Sequence, residues 1–340
     1  MEFLNDVSQL EDRPQPTTTV EGWQRFVEAD PADVALLPKG DWSALTAQQR
    51  LIYDEARIAY HAELVVVTTS AIREITNQGR LLALLNQREN GARRGLIVSG
   101  AAATGKSTAI KQLGRLHELR TRARHPDTER IPVVYVTAPP KGSPRKLAME
   151  FARFLGLPRV TSRANATDIA DAVCRILIDV RCEIVIVDEL HNINMATTAG
   201  EDHSDHMKYL TEHLPATFIY AGMDIERSGM FTGVRGRQLA GRCVLVNTGP
   251  FPHQNEWKQL VASMESALRL HRHKPGTLTA SAKYLHQRTR GMIGSLSHLI
   301  RAAAIRAILD GTEAISRDAM DAVRIDHAAE SSARRAGSRQ

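Results

Sequence analysis

The fold is decided by the stretch Gly100-Ala101-Ala102-Ala103-Thr104-Gly105-Lys106-Ser107, which matches the pattern GxxxxGK[ST]. A short apolar run, Leu96–Ser99, precedes it, and a helical pattern over about 106–124 follows it. This is the strand–loop–helix context that the pattern requires. The two glycines let the backbone curl, so that successive N–H groups and the amino end of the helix face phosphate oxygens. The sequence therefore predicts a phosphate-binding loop.

The residue types in this loop suit a nucleoside triphosphate held with Mg²⁺. Lys106 would place its ammonium on the β- and γ-phosphates, which makes it a predicted catalytic residue, and Ser107 would place its hydroxyl on the metal. We therefore expect ATP and Mg²⁺ as cofactors. The residues predicted to bind the nucleotide are Gly100, Ala101, Ala102, Ala103, Thr104, Gly105, Lys106, Ser107 and Thr108.

Two acidic residues end a second apolar run. Asp188 and Glu189 directly follow the stretch Ile184–Val187. In a parallel sheet, a strand of this kind delivers both carboxylates to the edge where the phosphate loop also lies. We expect Asp188 to bind Mg²⁺ through water and Glu189 to act as the general base that accepts a proton from the attacking water. A histidine such as His191, close behind, is more often a hydrogen-bonding residue than a catalytic one.

Strands and helices alternate through the centre of the chain. Short apolar runs predict strands over 96–99, 131–137, 183–187 and 217–221. Helical periodicity is found over 46–87, 106–124, 145–155, 168–180 and about 203–213. The alternation predicts an α/β fold with a parallel sheet covered by helices on both faces. Beyond Pro250 the pattern is only helical, over 255–270, 279–289, 294–309 and 316–325, with Ser316 as an expected helix cap.

These patterns divide the chain into four parts. We expect an N-terminal arm over 1–45, a nucleotide-binding α/β domain over 46–250, a small helical subdomain over 251–327 and a basic flexible tail over 328–340. The first 48 residues are rich in proline, threonine and acid, and Trp23, Phe26 and Trp42 stand there as isolated aromatic anchors. Two interpretations stay open for this arm, a partly ordered tail or a docking segment.

Composition excludes several classes of protein. The chain has 340 residues, of which 43% are hydrophobic and 24% charged, and this balance excludes wholesale disorder and a collagen-like fibre. The apolar runs are far shorter than the roughly 20 residues that a membrane span needs, and no signal peptide is evident. Cys174, Cys182 and Cys243 show no disulfide or zinc spacing, so we expect reduced thiols in a cytoplasmic protein. The net charge of +6 is compatible with a nucleic-acid partner.

The motifs together resemble those of a known family, the AAA+ ATPases of the TniB/TnsC type. The resemblance spans about residues 45–325. It rests on Gly100–Ser107, Asp188–Asn192, Ala221–Asp224, Arg237–Arg242, Gly291–Leu296 and the upstream stretch Ile52–Arg57 with His61 and Thr68. It implies the AAA+ P-loop NTPase fold, in which the helical subdomain is a lid, and slow ATP hydrolysis to ADP and phosphate that is used as a switch.

The resemblance also implies partners and further site residues. Members of the family assemble head to tail into rings or filaments on double-stranded DNA, recruit a transposase and a TniQ-type targeting protein, and come apart on hydrolysis. Arg242 best matches the arginine that reaches the neighbour's γ-phosphate, with Arg237 and Arg235 as alternatives. The residues expected to contact DNA are Lys141, Arg145, Lys146, Arg159, Thr161 and Arg163.

Other functions remain open at this point. One is an ExeA-like or Cdc6/Orc-like AAA+ ATPase, and another is a nucleotide-gated protein adaptor that does not bind DNA. ExeA-like relatives usually carry an arginine after the second glycine of the lid motif, whereas this chain has Gly294-Ser295-Leu296 there. We therefore expect the lid's phosphate sensor to be absent or to be supplied by Arg290.

Overall fold

The computed structural model describes residues 15–30, 33–63, 65–140, 142–157, 165–193, 207–227, 237–238 and 240–325. The chain falls into two compact units. The sheet unit comprises Met1–Ala29, Ser70–Ala101 and Lys106–Thr248, and the helical unit comprises Asp30–Thr69, Ala102–Gly105 and Gly249–Gln340. This division differs from the predicted boundaries, because residues 46–69 group with the C-terminal helices. The predicted tail, 328–340, lies outside the described residues.

A parallel sheet of five strands forms the centre of the sheet unit, in the order β2-β3-β4-β1-β5. Its strands are β1 (Gly95–Gly100), β2 (Val133–Thr137), β3 (Ile184–Asp188), β4 (Thr217–Gly222) and β5 (Cys243–Thr248). The first four confirm the predicted strands. β5 was missed, because it lies at the edge of the sheet, where Leu245 is exposed and only a short apolar run marks the strand.

Helices surround this sheet. Those of the sheet unit are α1 (Val20–Glu28), α4 (Ser70–Asn86), α5 (Lys106–Arg124), α6 (Pro144–Phe154), α7 (Ala166–Asp179) and α8 (207–213). Ser143 caps α6 by accepting a hydrogen bond from the Lys146 N–H, and a capping box of Asn165 and Asp168 begins α7. The helices α5, α6 and α7 agree with the predicted spans within two residues.

The predicted helical stretch 46–87 is two helices, α3 (Ala47–Ala62) and α4. Between them Val65–Thr69 is a run of five β-branched residues, and none of the five lies in a helix. β-Branched side chains lose rotamer freedom against the preceding turn of a helix, so such a run disfavours helix formation. The run, rather than a glycine or proline, therefore ends the helical pattern.

The first helix belongs to the core rather than to a separate arm. Trp23 and Val27 of α1 are fully buried in the core of the sheet unit. The Trp23 indole N–H donates to Glu118 Oε2 on α5 at 2.5 Å. A Cβ at Gly114 would lie 2.8 Å from the Trp23 ring, so a glycine is needed there to admit the indole. Residues 20–28 therefore differ from the expected arm, and residues 1–14 lie outside the described part.

The helical unit has its own apolar core. Its helices are α2 (Lys39–Ala44), α3, α9 (Asn255–Ser266), α10 (Thr277–Ala280), α11 (Ala282–Thr289), α12 (Ile293–Leu309) and α13 (Arg317–Asp321). Ser316 caps α13 as predicted, with its hydroxyl accepting from the Ala319 N–H.

A buried ion pair joins two distant parts of the helical unit. The Arg57 guanidinium on α3 donates to both oxygens of Glu313 at 2.7 Å, and neither side chain is exposed by more than 3%. It also donates to Asp54 Oδ1 at 2.5 Å and to the Arg269 carbonyl at 3.1 Å. The two buried charges are therefore paired through Nη1 and Nη2, while the Arg57 Nε is buried without a hydrogen-bond partner in the described part of the chain.

Among the described residues, no single helix is long and apolar enough to cross a membrane. Helices α11 and α12 together reach the required length and apolar composition, but they are bent by 116° relative to each other.

Candidate active site

The predicted phosphate loop follows β1 and leads directly into α5. Gly100 has φ +155°, and a Cβ there would lie 2.2 Å from the Thr248 carbonyl oxygen of β5. Gly105 has φ +90° and Ala103 φ +61°. Left-handed residues that interrupt an otherwise right-handed chain form concave nests of N–H groups, which bind anions. The glycines at 100 and 105 are therefore required by the shape of the loop.

Lys106 is held against the loop that precedes it. Its ammonium is buried and donates to the Gly100 carbonyl at 2.7 Å and the Ala101 carbonyl at 2.6 Å. Burial lowers the pKa of Lys106, while the carboxylates of Glu189, Asp188 and Asp224 oppose that shift. The three carboxylates favour the charged form of the lysine, which is the form that binds a polyphosphate.

The loop residues next to Lys106 differ in their contacts and in their burial. Ala102–Gly105 group with the helical unit, in which the Gly294 N–H at the start of α12 donates to the Ala103 carbonyl at 2.9 Å. Thr104 is buried, whereas Ser107 and Thr108, in the first turn of α5, are half-buried.

Asp188 ends β3 with its carboxylate fixed on both sides. The Tyr135 hydroxyl of β2 donates to Asp188 Oδ2 at 2.7 Å, and the Glu189 N–H donates to Oδ1 at 2.8 Å. Trp23 stacks on the Tyr135 ring, with 5.7 Å between centroids and 12° between planes, and Lys111 Nζ lies 4.9 Å from the centroid of the same ring. The orientation of the Asp188 carboxylate thus depends on residues of β2, α1 and α5.

Glu189 begins the tight turn that follows β3. Its backbone is left-handed, with φ 55° and ψ 33°, which is uncommon for a residue other than glycine. Its carboxylate lies 3.3 Å from His191 Nε2, and 42% of the side chain is exposed. An exposed carboxylate at the carboxyl edge of the sheet, close to Lys106, is placed to accept a proton from water.

The residues fit the expected cofactors by the chemistry of their donors. Mg²⁺ prefers hard oxygen ligands, which the Ser107 hydroxyl and the Asp188 carboxylate supply. Three carboxylates act on the same lysine, so negative charge is concentrated here, as a divalent cation requires. The loop, with its two glycines and its charged lysine, suits the phosphates of a nucleotide.

The candidate arginine, Arg242, lies at the amino ends of the strands, opposite the carboxyl ends that the phosphate loop follows. Arg242 precedes β5, and its carbonyl accepts the Gly95 N–H at the start of β1. The phosphate loop follows the opposite end of β1, so about five residue steps, or roughly 17 Å, separate the two ends of that strand. Arg242 is exposed and donates to the Gly91 carbonyl at 3.4 Å. The alternative Arg237 is also exposed, and Arg235 lies outside the described residues.

A solvent-open pocket of the sheet unit contains Arg242. Three more cationic side chains line it, those of Arg93, Arg94 and Lys208, together with Tyr220. Lys208 has Glu212 at 3.7 Å, while the Tyr220 hydroxyl and the Arg93 Nε are buried without a hydrogen-bond partner in the described part of the chain. This edge of the sheet therefore carries an excess of positive charge suited to an anion.

The predicted DNA contacts are only partly described. Arg145 is half-buried and Lys146 is exposed, both in the first turn of α6, and Arg145 Nη1 lies 3.7 Å from the Met149 sulfur. Lys141, Arg159, Thr161 and Arg163 lie outside the described residues.

Sequence reasoning missed two features of this site. Tyr135 was assigned only to a strand, although a polar tip in an otherwise apolar run signals a buried hydrogen bond. The contact of His191 with the β4 exit was not foreseen either: the Met223 N–H donates to His191 Nδ1 at 3.2 Å. This contact depends on β3 and β4 being neighbours in the sheet, which the sequence alone does not state.

Comparisons with known proteins agree with this architecture. The family model described as "Bacterial TniB protein" matches residues 57–232. A search of curated proteins finds no significant match.

Solved structures of low sequence identity share the fold. The ORC2 protein of Aeropyrum pernix, in ADPNP and ADP complexes, has a TM-score of 0.56 and 14% identity over 78% of this chain and 70% of that chain. The ORC1 protein of Aeropyrum pernix in complex with DNA has a TM-score of 0.58 and 17% identity over 80% of this chain and 67% of that chain. Drosophila ORC bound to DNA has a TM-score of 0.55 and 14% identity over 88% of this chain and 72% of that chain. The likeness confirms the predicted AAA+ fold.

Proposed function

The chain belongs to the TniB family and is an AAA+ ATPase, and from that premise we propose that it is an ATP-dependent regulator of transposition that assembles on double-stranded DNA. In the ATP-bound state, copies stack head to tail on the duplex, recruit and activate a transposase, and link it to a TniQ-type target-selection protein. Hydrolysis takes the assembly apart, so its functional outcome is a change of assembly state.

The observation that carries this proposal is the position of Arg242. It lies at the amino edge of the sheet, whereas the phosphate loop of the same chain lies at the carboxyl edge, roughly 17 Å away along β1. An arginine there cannot complete its own nucleotide site, but it can complete that of a second copy. Arg93, Arg94 and Lys208 line the same pocket and add positive charge for a neighbour's phosphates. Head-to-tail assembly follows, because each site then needs two chains.

Hydrolysis would use residues of both copies. Lys106 would bind the β- and γ-phosphates, and Glu189 would accept the proton of the attacking water. Ser107, and Asp188 through water, would hold Mg²⁺, which when bound would neutralise charge on the phosphates. Arg242 of the adjacent copy stabilises the charge that develops on the transferred phosphate. Loss of the γ-phosphate removes the anion that Arg242 binds, which weakens the contact that holds the copies together.

DNA binding by this chain is supported by its net charge of +6 and by the cationic start of α6. Arg145 and Lys146, with Lys141, Arg159, Thr161 and Arg163, would contact backbone phosphates rather than bases, so binding would be independent of sequence. Two of the structural neighbours, ORC1 of Aeropyrum pernix and Drosophila ORC, were solved with DNA.

The test is assembly of the purified chain on plasmid DNA, measured by mass photometry and electron microscopy with ATP or a non-hydrolysable analogue. Lys106→Ala should abolish nucleotide-dependent assembly, whereas Glu189→Gln should assemble in ATP and fail to come apart. Arg242→Ala should not hydrolyse ATP by itself, and Arg73→Ala, at an exposed arginine of α4, is its matched control. A mixture of the Lys106→Ala and Arg242→Ala chains should recover hydrolysis, because it contains one intact shared site. A parent chain that stays monomeric with analogue and plasmid refutes the proposal.

The salt dependence separates DNA binding from a purely protein-scaffolding role. If several phosphates are contacted, the association constant should fall by about a thousandfold or more between 50 and 200 mM salt. A flat response, with nucleotide-dependent assembly retained, would favour the adaptor that does not bind DNA.

A further inference from the structure

We propose that His191 is a positioning residue for ATP hydrolysis, which ties the carboxylate of Glu189 to the segment that follows β4. The inference rests on the proposed role of Glu189 as the base and adds a residue that controls where this base lies. Its consequence is that the β4 exit and the base move together.

The two ring nitrogens of His191 have distinct partners. The main-chain N–H of Met223 can only donate, so Nδ1, at 3.2 Å, is the acceptor. In the neutral imidazole the proton is then on Nε2, the nitrogen that lies 3.3 Å from Glu189 Oε2, so the ring presents its donor to that carboxylate. The hydrogen bond to Met223 therefore selects the tautomer that can hold the carboxylate.

The turn that carries His191 is packed closely against β4. A Cβ at Gly222 would lie 3.1 Å from the main-chain nitrogens of Leu190 and His191 and 3.2 Å from His191 Nδ1. A glycine at this position thus lets the two segments approach each other. On the other side of the turn, Asn192 Nδ2 donates to the Ala138 carbonyl after β2 at 3.1 Å. The turn that carries the imidazole is therefore held at the ends of both strands that flank β3, which are β2 and β4.

Glu189 itself has little else to hold its side chain. Within the described ranges, His191 is the residue at hydrogen-bond distance from the Glu189 carboxylate, which is 42% exposed. The β4 exit also bears Asp224, whose carboxylate acts electrostatically on Lys106. A shift of the β4 exit on nucleotide binding would thus reach both the lysine and, through His191, the base.

Two variants separate the two contacts of the ring. In His191→Asn the amide oxygen takes the place of Nδ1 and can accept from Met223, but the side chain is too short to reach Glu189. In His191→Gln the terminal amide takes the place of Nε2 and can donate to Glu189, but it no longer accepts from Met223. If the contact with Glu189 sets the rate, the asparagine variant should lose about tenfold or more in kcat, as His191→Ala does, with the KM for ATP changed less than twofold. The glutamine variant should keep at least a third of the parent kcat.

The measurement is steady-state ATPase activity of the full chain on plasmid DNA, with His213→Gln on α8 as the matched control and thermal unfolding of each variant as a check. If the histidine variants do not fold, Gly222→Ala tests the same coupling, because its methyl group pushes the turn away from β4, and it should lower kcat without raising the KM. Equal kcat for the asparagine, glutamine and parent chains overturns the proposal. So does a His191→Ala chain that is faster than the parent, and so does a loss shared equally by kcat and affinity.

These outcomes are distinguishable from failure of the proposed function. A Glu189→Gln chain that hydrolyses ATP like the parent removes Glu189 as the base, whatever the histidine variants do. An inactive Glu189→Gln chain beside fully active histidine variants overturns the role of His191 alone.

Discussion

Replacing Arg57 by methionine should strongly destabilise the helical unit. Arg57 is fully buried, and its guanidinium donates to both oxygens of Glu313. Methionine keeps much of the side-chain volume but leaves the Glu313 carboxylate buried without its partner. Removing one member of a buried pair costs about 3–5 kcal/mol. We expect a loss of that size in the free energy of unfolding. The other partner of Arg57, Asp54, should add little to the loss, because it is partly exposed and water can solvate it.

A second substitution tests this reasoning. In the double variant Arg57→Met with Glu313→Leu, no fully buried charge is left unpaired, although the His271 N–H loses its acceptor. Part of the stability lost in the single variant should therefore return, as it does when a buried pair is replaced by apolar residues. The assay is urea unfolding followed by circular dichroism. With a slope of about 1–3 kcal/mol per molar urea, the single variant should lower the midpoint by one molar or more. A double variant less stable than Arg57→Met would refute the argument, because the unpaired charge would then not be the cause.

The same ion pair makes the stability of the parent chain depend on pH. Burial raises the pKa of Glu313, but hydrogen bonds from Arg57 and from the His271 N–H outweigh burial and hold the pKa below its usual 4.5. Because the folded pKa is the lower one, the stabilisation is complete above the unfolded pKa and is lost as the pH falls through the folded value. The difference in the free energy of unfolding between the parent and Arg57→Met chains should therefore become smaller below about pH 4. A gap that stays constant from pH 7 to pH 3 would contradict this.

Three further outcomes follow from the site. Tyr220→Phe removes a buried hydroxyl that has no partner in the described residues, so the chain should gain about 1 kcal/mol and melt at a higher temperature; a lower melting temperature would contradict this. Gly100→Ala places a methyl group 2.2 Å from the Thr248 carbonyl at φ +155°, so we expect ATP affinity by titration calorimetry to fall at least tenfold, and a parent-like affinity would show that the loop does not bind phosphate. Tyr135→Phe removes a hydrogen bond to Asp188, so the Mg²⁺ concentration for half-maximal ATPase activity should rise about tenfold; an unchanged value would remove Asp188 from the metal site.

The sequence was sufficient for the parts of the molecule that depend on local pattern. The phosphate loop needs glycines at fixed steps before a helix, and the two acids after β3 need only a buried strand before them. Both are properties of a few consecutive residues, and the predicted bounds of α5 agree with the structure. The break over Val65–Thr69 was equally local and could have been predicted from its five β-branched residues.

What the sequence could not supply depends on pairs that are distant along the chain. Trp23 belongs to the core only because Gly114 leaves space for it and Glu118 accepts its N–H. β5 is a strand because β1 pairs with it, and the position of Arg242 at the amino edge follows from that pairing. Contacts of this kind require the order of strands in the sheet, which single-sequence periodicity does not contain.

The stacking of Trp23 on Tyr135 gives the molecule a built-in optical probe. The chain has three tryptophans, and Trp42 and Trp257 both belong to the helical unit, so Trp23 reports alone on the sheet unit. Its ring is one aromatic contact and one hydrogen bond away from the Asp188 carboxylate. In a chain with Trp42 and Trp257 replaced by phenylalanine, emission from this single indole would follow events at the carboxylate in real time, without an attached dye.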